Sequence, residues 1–424
     1  MNSHLLSYIC CPQTGEQLKI HEGELYTDKT SYPLFNDIPW LFNSPEFSFL
    51  EWGSKITQFI AEETDYLGYL QLLINSETNE LSKKRYEKLA EAKAYNLEVF
   101  QQKLALFIDQ QQVKLLPSNQ QIFSYFQQIF RDWCWEAEEL DEYTHFIKQH
   151  IDHKTQSILV LGAGACGLSH RLAKQYSDKT FISTDHNPFL FFMAQDIFTN
   201  KKVSLYDYSF YPKDLAHTHK KWNIENCENL DNHHFVLSSF PELPFNPESF
   251  DLIIAPWFLD ILDLSLPESM NAIYDYLKPD GKFISLGPAN IHHRDLDRQL
   301  CPEEFKQELS RYFHTSHYTQ KSLFYLKNPL ESQSRKEEVA FFIGQNKTQK
   351  LELDKMKSEK TLKFTPALET LKLTQKTMTQ ILNLIDKDIS VSELAKKLEL
   401  EFKFSSVEAE FYAEAFILKI QEQL

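Results

Sequence analysis

With 424 residues, 42% hydrophobic and 14% aromatic, the chain exceeds what one hydrophobic core usually serves, so a central domain with additions at its ends is expected. A formal net charge of -16 repels phosphate backbones, which makes nucleic acid an unlikely partner and favours a small molecule or a peptide. Six cysteines without a CxxC pair disfavour zinc and a disulfide scaffold. An N-terminus lacking a basic start, and no run of about 18 apolar residues, point to a cytoplasmic protein with no membrane association.

Residues 1–43 read as short strands and turns, "LLSYICCPQTGEQLKI" followed by "GELYTDKTSYPLFNDIPWLF". The stretch resembles the small zinc-ribbon-like domain that several methyltransferases carry as a partner or fusion. Cys11-Pro12 is followed by Gln13-Thr14, so the second cysteine of that pattern is missing and no metal site is expected. Residues 44–153 are helical by period, with apolar residues at three and four spacings in "YEKLAEAKAYNLEVFQQKLALFI" and "IFSYFQQIFRDWCWEAEELDEYTHFIKQHI".

From 154 to 347 the period changes. "SILVLGAGACGLSHRLAKQY" is strand, glycine turn and helix, "TFISTDHNPFLFFMAQDIF" repeats strand and helix, and "FDLIIAPWF" and "GKFISLGPAN" are further strands around the helical "PESMNAIYDYLKPD". Such alternation predicts an α/β domain with a doubly wound parallel sheet. A Lys-rich segment, 348–372, reads as a solvated linker. Residues 373–424 read as three short helices of winged-helix type, too acidic and too poor in arginine for nucleic acid and better suited to packing or to a protein partner.

"VLGAGACG" sets Gly162, Gly164 and Gly167 between strand and helix, where glycine lets backbone approach a ligand and leaves helix N-terminal N–H groups free. The next strand ends in Asp185, placed to accept hydrogen bonds from ribose hydroxyls. An NAD enzyme would share both features. The later "SSFPELPFNPESFDLIIAP" and "YLKPDGKFISLG", however, resemble the post-glycine motifs of class I S-adenosylmethionine (SAM)-dependent methyltransferases. That resemblance implies a Rossmann-like core with SAM as cofactor and Ser239 and Phe240 against the adenine. The acid that usually opens the "D-x-x-x-L-P-F" stretch is Ser239 here, which leaves a hydroxyl or the backbone for the adenine amino group.

A closer resemblance is to the carnosine N-methyltransferase family. It rests on "QQIFRDWCWEAEE", "FLFFMAQDIF", "WFLDI", "ISLGPANIHH" and "LFYLKNPLESQSRKEEVAFFIGQNK", over roughly 124–347. It implies cofactor contacts at Gln128, Arg131, Gly162, Gly164, Asp185, Phe240 and Pro256, and substrate contacts at Asp260, His292 and Tyr325. The adjacent His293 leaves open which histidine is meant.

The residue chemistry agrees with the transfer. Arg131 suits a bidentate grip on the cofactor's methionine carboxylate, or else an ion pair with a neighbouring glutamate. Asp260 closes the apolar run "FDLIIAPWFLDIL" at the carboxyl end of a strand, the level at which ligands sit in doubly wound sheets. A carboxylate there fixes the tautomer of an imidazole acceptor, with His292 and Tyr325 orienting the rest. Two other readings stay open: methylation of a macromolecule (RNA or protein), and a non-catalytic binding module. Against the first, Ala255-Pro256-Trp257-Phe258 stands where such enzymes carry Asn/Asp-Pro-Pro-aromatic; against the second stand the intact glycine turn, Asp185 and Arg131.

Overall fold

The computed structural model describes residues 4–21, 23–108, 122–136, 138–199, 202–225, 227–262, 264–291, 296, 298–347, 361–362, 379–385, 387–402, 404 and 406–421. Four short strands come first, β1 (Lys19–His21), β2 (Glu24–Tyr26), β3 (Ser31–Phe35) and β4 (Ile38–Pro39), paired antiparallel in chain order. Next is a helical hairpin, α1 (Pro45–Ser76) and α2 (Glu80–Lys103), with Pro45 opening α1 and the Asn79 side chain capping α2. Two shorter helices, α3 (Phe126–Trp133) and α4 (Glu138–Lys148), lead into the core.

The core begins with β5 (Ser157–Leu161), α5 (Gly167–Gln175), β6 (Thr180–Asp185) and α6 (Pro188–Phe198). It then runs through a hairpin of β7 (Val203–Tyr208) and β8 (His219–Ile224) to β9 (His233–Leu237), β10 (Phe250–Pro256), α7 (Leu266–Tyr274) and β11 (Leu277–Pro288). It ends with α8 (Pro302–Tyr312), β12 (Phe313–Tyr325) and β13 (Arg335–Asn346). The central sheet has the order β12-β13-β11-β10-β5-β6-β9, parallel from β11 to β9, with β13 antiparallel to both neighbours. The expected α/β, doubly wound core is therefore present, completed by an antiparallel hairpin at one edge. β5 is buried at every residue and β10 is apolar almost throughout, because a central parallel strand is covered on both faces.

At the foot of the sheet Asp251 Oδ2 accepts from Gln156 N and Ser157 N, each at 2.9 Å, and pairs with Lys278 Nζ at 3.1 Å, tying β10 to β5 and β11. The hairpin β7–β8 is held by α2. Asn96 exchanges both amide bonds with the backbone of Tyr206, and buried Lys93 pairs with Glu63 at 2.5 Å beneath the rings of Tyr66 and Tyr208.

The N-terminal strands join the central sheet. Trp40 bridges Leu237 in parallel, Leu41 N donates to Leu237 O at 2.8 Å, and Ile9 bridges Phe245, so the β9 edge is covered by the chain's own N-terminal segment. After 347 the described residues hold two-residue strands, β14 (Thr361–Leu362) and β15 (Ile389–Ser390), and helices α9 (Thr379–Leu382), α10 (Val391–Phe402) and α11 (Ser406–Gln421). Their small apolar core includes Phe47 of α1, whose ring meets Tyr412 edge-on at 4.7 Å. Among the described residues no helix is long and apolar enough to cross a membrane.

Trp40 is fully buried, and its indole N–H donates to Ser48 Oγ at 2.9 Å. Trp40→Ala is expected to cost about 3–5 kcal/mol, through the cavity it leaves and the loss of that bond, as read by urea denaturation of the whole chain.

Candidate active site

The glycine turn after β5 is shaped by what packs on it. Gly162 and Gly164 have φ of +58° and +57°, the left-handed region that favours glycine. A Cβ on Gly162 would stand 2.7 Å from the Phe258 ring, and one on Gly164 2.5 Å from Gln128 Oε1. Gly167, at the start of α5, has no such torsion but faces Asp132, whose Cβ would be 2.5 Å from a methyl there. That closeness lets Asp132 Oδ2 accept from Gly167 N at 2.9 Å, so a carboxylate on α3 caps the N-terminus of α5 from outside.

The same carboxylate holds Arg131, whose Nε–H donates to Asp132 Oδ1 at 2.8 Å and lies 3.6 Å from Glu139 Oε1. Of the two readings of Arg131 the ion pair is therefore present, buried in the site and not on a helix surface. Burial raises Glu139 above the ordinary carboxylate range, against the pull of Arg131.

Asp185 closes β6. Its Oδ2 accepts from Gly164 N at 2.8 Å and its Oδ1 from Asn187 N at 2.9 Å, with His186 Nδ1 3.5 Å from Oδ1, which leaves a lone pair of Oδ2 for a further donor. His186, beside it, stands against Trp52 of α1 and Tyr125 at ring distances of 5.8 and 6.4 Å.

Strand β10 delivers the other half. Past Pro256 the chain turns at Trp257, whose φ of +50° is strained for an aromatic residue and turns the backbone toward the crevice. Trp257 Nε1–H donates to Tyr143 Oη at 2.7 Å, and its ring lies 4.1 Å from that of Tyr325, over which Arg335 rests at 5.2 Å. Asp260 follows on the next turn. Burial raises its carboxyl to about 6; Arg335 pulls it down and Glu337 pushes it up.

Many of these parts line one cavity of about 990 Å³, among them Gln128, Arg131, Gly162, Asp185, Ser239, Phe240, Pro256, Asp260 and Tyr325. Of the residues singled out from sequence, Gly164 and Gly167 do not line it; their N–H groups are given to Asp185 and Asp132. His292 and His293 lie outside the described residues. Sequence reasoning assigned no role to Tyr125, Asp132, Tyr143 or His186. Asp132 stood inside the quoted "RDW", and its place directly after Arg131 was the one available signal.

The cavity fits SAM. Its volume exceeds what one cofactor needs, at the upper end of the usual 300–1,000 Å³ for ligand pockets, so an acceptor has room beside it. The glycine turn, a strand-end carboxylate, a cationic fork at Arg131 and the rings of Phe240 and Phe258, 5.2 Å apart, supply matching chemistry for its parts.

Because the folded-state pKa of Asp260 is raised, the native state holds its proton longer than the unfolded chain, and stability falls as pH rises from about 4 to about 6. Asp260→Asn is expected to remove that slope, making the variant about 3 kcal/mol more stable than wild type at pH 8 and no more stable below pH 4, in denaturation curves taken across pH.

A search of curated proteins gave no match. Solved structures that resemble the fold include a putative sarcosine dimethylglycine methyltransferase from Galdieria sulphuraria (13% identity, 47% of this chain and 76% of that chain, TM-score 0.33). Another is a putative S-adenosylmethionine-dependent methyltransferase from Listeria monocytogenes (13%, 50% and 100%, TM-score 0.33). A third is the N-methyltransferase NodS from Bradyrhizobium japonicum WM9 in complex with S-adenosyl-L-homocysteine (13%, 52% and 98%, TM-score 0.32). The sequence model for carnosine N-methyltransferase matches residues 109–323, from before α3 to near the end of β12. That match spans just over half of the chain, which therefore belongs to the carnosine N-methyltransferase family and is a SAM-dependent N-methyltransferase.

Proposed function

We propose that this enzyme methylates a ring nitrogen of a small imidazole-bearing acceptor, a histidine-containing peptide or related amine. The observation that carries this reading is the half-buried carboxylate of Asp260, in the same cavity as Trp257, Tyr325 and the glycine turn.

When bound, SAM supplies an electrophilic methyl group on a sulfonium. For holding it, Gly162 offers backbone approach, Asp185 the acceptors for ribose hydroxyls, and Ser239, Phe240 and Pro256 the adenine wall. Gln128 and Arg131, both in the cavity lining, would hold the methionine end, where a guanidinium matches a carboxylate.

Catalysis on the protein's side is positioning and exclusion of water. Asp260 accepts the N–H of one imidazole nitrogen, which fixes the tautomer and leaves the lone pair of the other nitrogen pointing away from the carboxylate. As the ring takes on positive charge, Asp260 balances it and can receive the N–H proton on a carboxylate oxygen. Trp257 and Tyr325 give the ring a flat apolar wall, and Tyr143 keeps the indole in place through the bond to Nε1. His292, from the sequence pattern, orients the remainder of the acceptor.

Labelled methyl transfer from SAM to histidine dipeptides, simple amines and total cell extract, followed by mapping of the modified atom, tests the reading. A methylated imidazole nitrogen is expected; label in RNA with none on any imidazole would refute it. Asp260→Ala is expected to lower kcat/KM at least about 100-fold with SAM affinity unchanged in calorimetry, since orientation and charge balance are lost together. For wild type, kcat/KM should rise through pH 6 to about 6.5, as Asp260 loses its proton at about 6 and the acceptor ring becomes neutral near its usual value.

A further inference from the structure

We propose that Glu414, on α11 of the C-terminal domain, supplies the carboxylate that recognises the adenine amino group of SAM. The inference rests on the cofactor lying in the cavity as proposed above.

The starting point is a gap in the sequence. Ser239 stands where the methyltransferase pattern places an acid, and a hydroxyl accepts a hydrogen bond from an amine more weakly than a carboxylate does. Ser239 follows directly from the end of β9, and this is the corner at which the terminal parts of the chain meet. Trp40 and Leu41 pair with Leu237, two residues before Ser239. A few residues on, Phe47 enters the apolar core of the C-terminal domain and meets Tyr412 at 4.7 Å. Glu414 and Ala415 come next along α11, and both line the same cavity as Ser239 and Phe240.

The C-terminal domain is thus docked at this corner, with Glu414 in the lining of a cavity whose adenine-binding stretch lacks its usual acid. Glu414 is exposed, in keeping with an adenine edge that points outward from a strand-end crevice. It also lies beyond residue 323, where the family match stops, so the device belongs to this chain's added domain. Two other glutamates line the cavity: Glu268, whose carboxylate accepts from Ser265 N and Oγ, and Glu242, which lies in the same stretch as Ser239 and is the rival for the role.

Calorimetry with the full-length protein separates the two without needing an acceptor. The ligands are S-adenosylhomocysteine and its inosyl analogue, which carries a carbonyl where adenine carries its amine. Wild type is expected to prefer the adenosyl ligand. Glu414→Gln should weaken that ligand about tenfold and narrow the preference, whereas Glu242→Gln should change both affinities less than about twofold. Tyr412→Ala, which loosens the docked domain without altering the cavity lining, should shift binding in the same direction as Glu414→Gln. Unchanged affinity and preference in Glu414→Gln, or the loss appearing in Glu242→Gln instead, overturns the inference while the cofactor reading stands. Wild type binding neither ligand overturns both.

Discussion

The site depends on one carboxylate whose two oxygens are both bound within the protein's own scaffold. Asp132 caps α5 with one oxygen and holds Arg131 with the other, so the helix before the core, the glycine turn and the cationic end of the cavity share one fixed point. The contact is possible only because residue 167 is glycine, with no side chain to keep the α3 backbone away. An anion at a helix N-terminus is favoured by the helix dipole, and burial strengthens that attraction. The turn is thereby preorganised before any ligand arrives, and the cost of its left-handed torsions is met by tertiary packing.

Around that point the cavity is assembled from distant parts of the chain. α3 and α4 contribute Gln128, Arg131 and Tyr143, the core contributes Asp185 and Asp260, the edge hairpin contributes Tyr325, and α11 contributes Glu414. Such a site is rigid where strands carry it and adjustable where the outer elements meet. The two ends of the cavity differ in kind. Hydrogen-bonded backbone and carboxylates dominate the end at the glycine turn, while the paired rings of Trp257 and Tyr325 and the raised carboxyl of Asp260 dominate the other.

Much of this was legible in the sequence, for a physical reason. The glycine turn, Asp185, and Asp260 at the end of β10 are set by short-range spacing within strand-turn-helix units, and spacing of that kind survives in a linear text. Residues whose roles depend on partners far along the chain were not legible. The Asp132–Gly167 bond spans 35 residues and the Trp257–Tyr143 bond 114, and nothing local marks either end. The hairpin β7–β8 escaped for another reason: it lies between the recognised motifs, and it is pinned by Asn96 and Lys93, which read only as polar positions on a helix. At the N-terminus the strands were visible as strands, but their union with β9 was not, because edge pairing leaves no periodic signature.

That union bears on the order in which the molecule forms. Trp40 leaves the ribosome long before Leu237, almost two hundred residues later, and its place in the sheet does not exist until β9 has been made. The first strands and the start of α1, with Trp40, Phe42 and Phe47, must therefore wait with apolar surface uncovered while the core is synthesised. The chain's earliest residues thus take their place at the sheet edge only once the chain has been made through Leu237, so closure of that edge reports that β9 is in position.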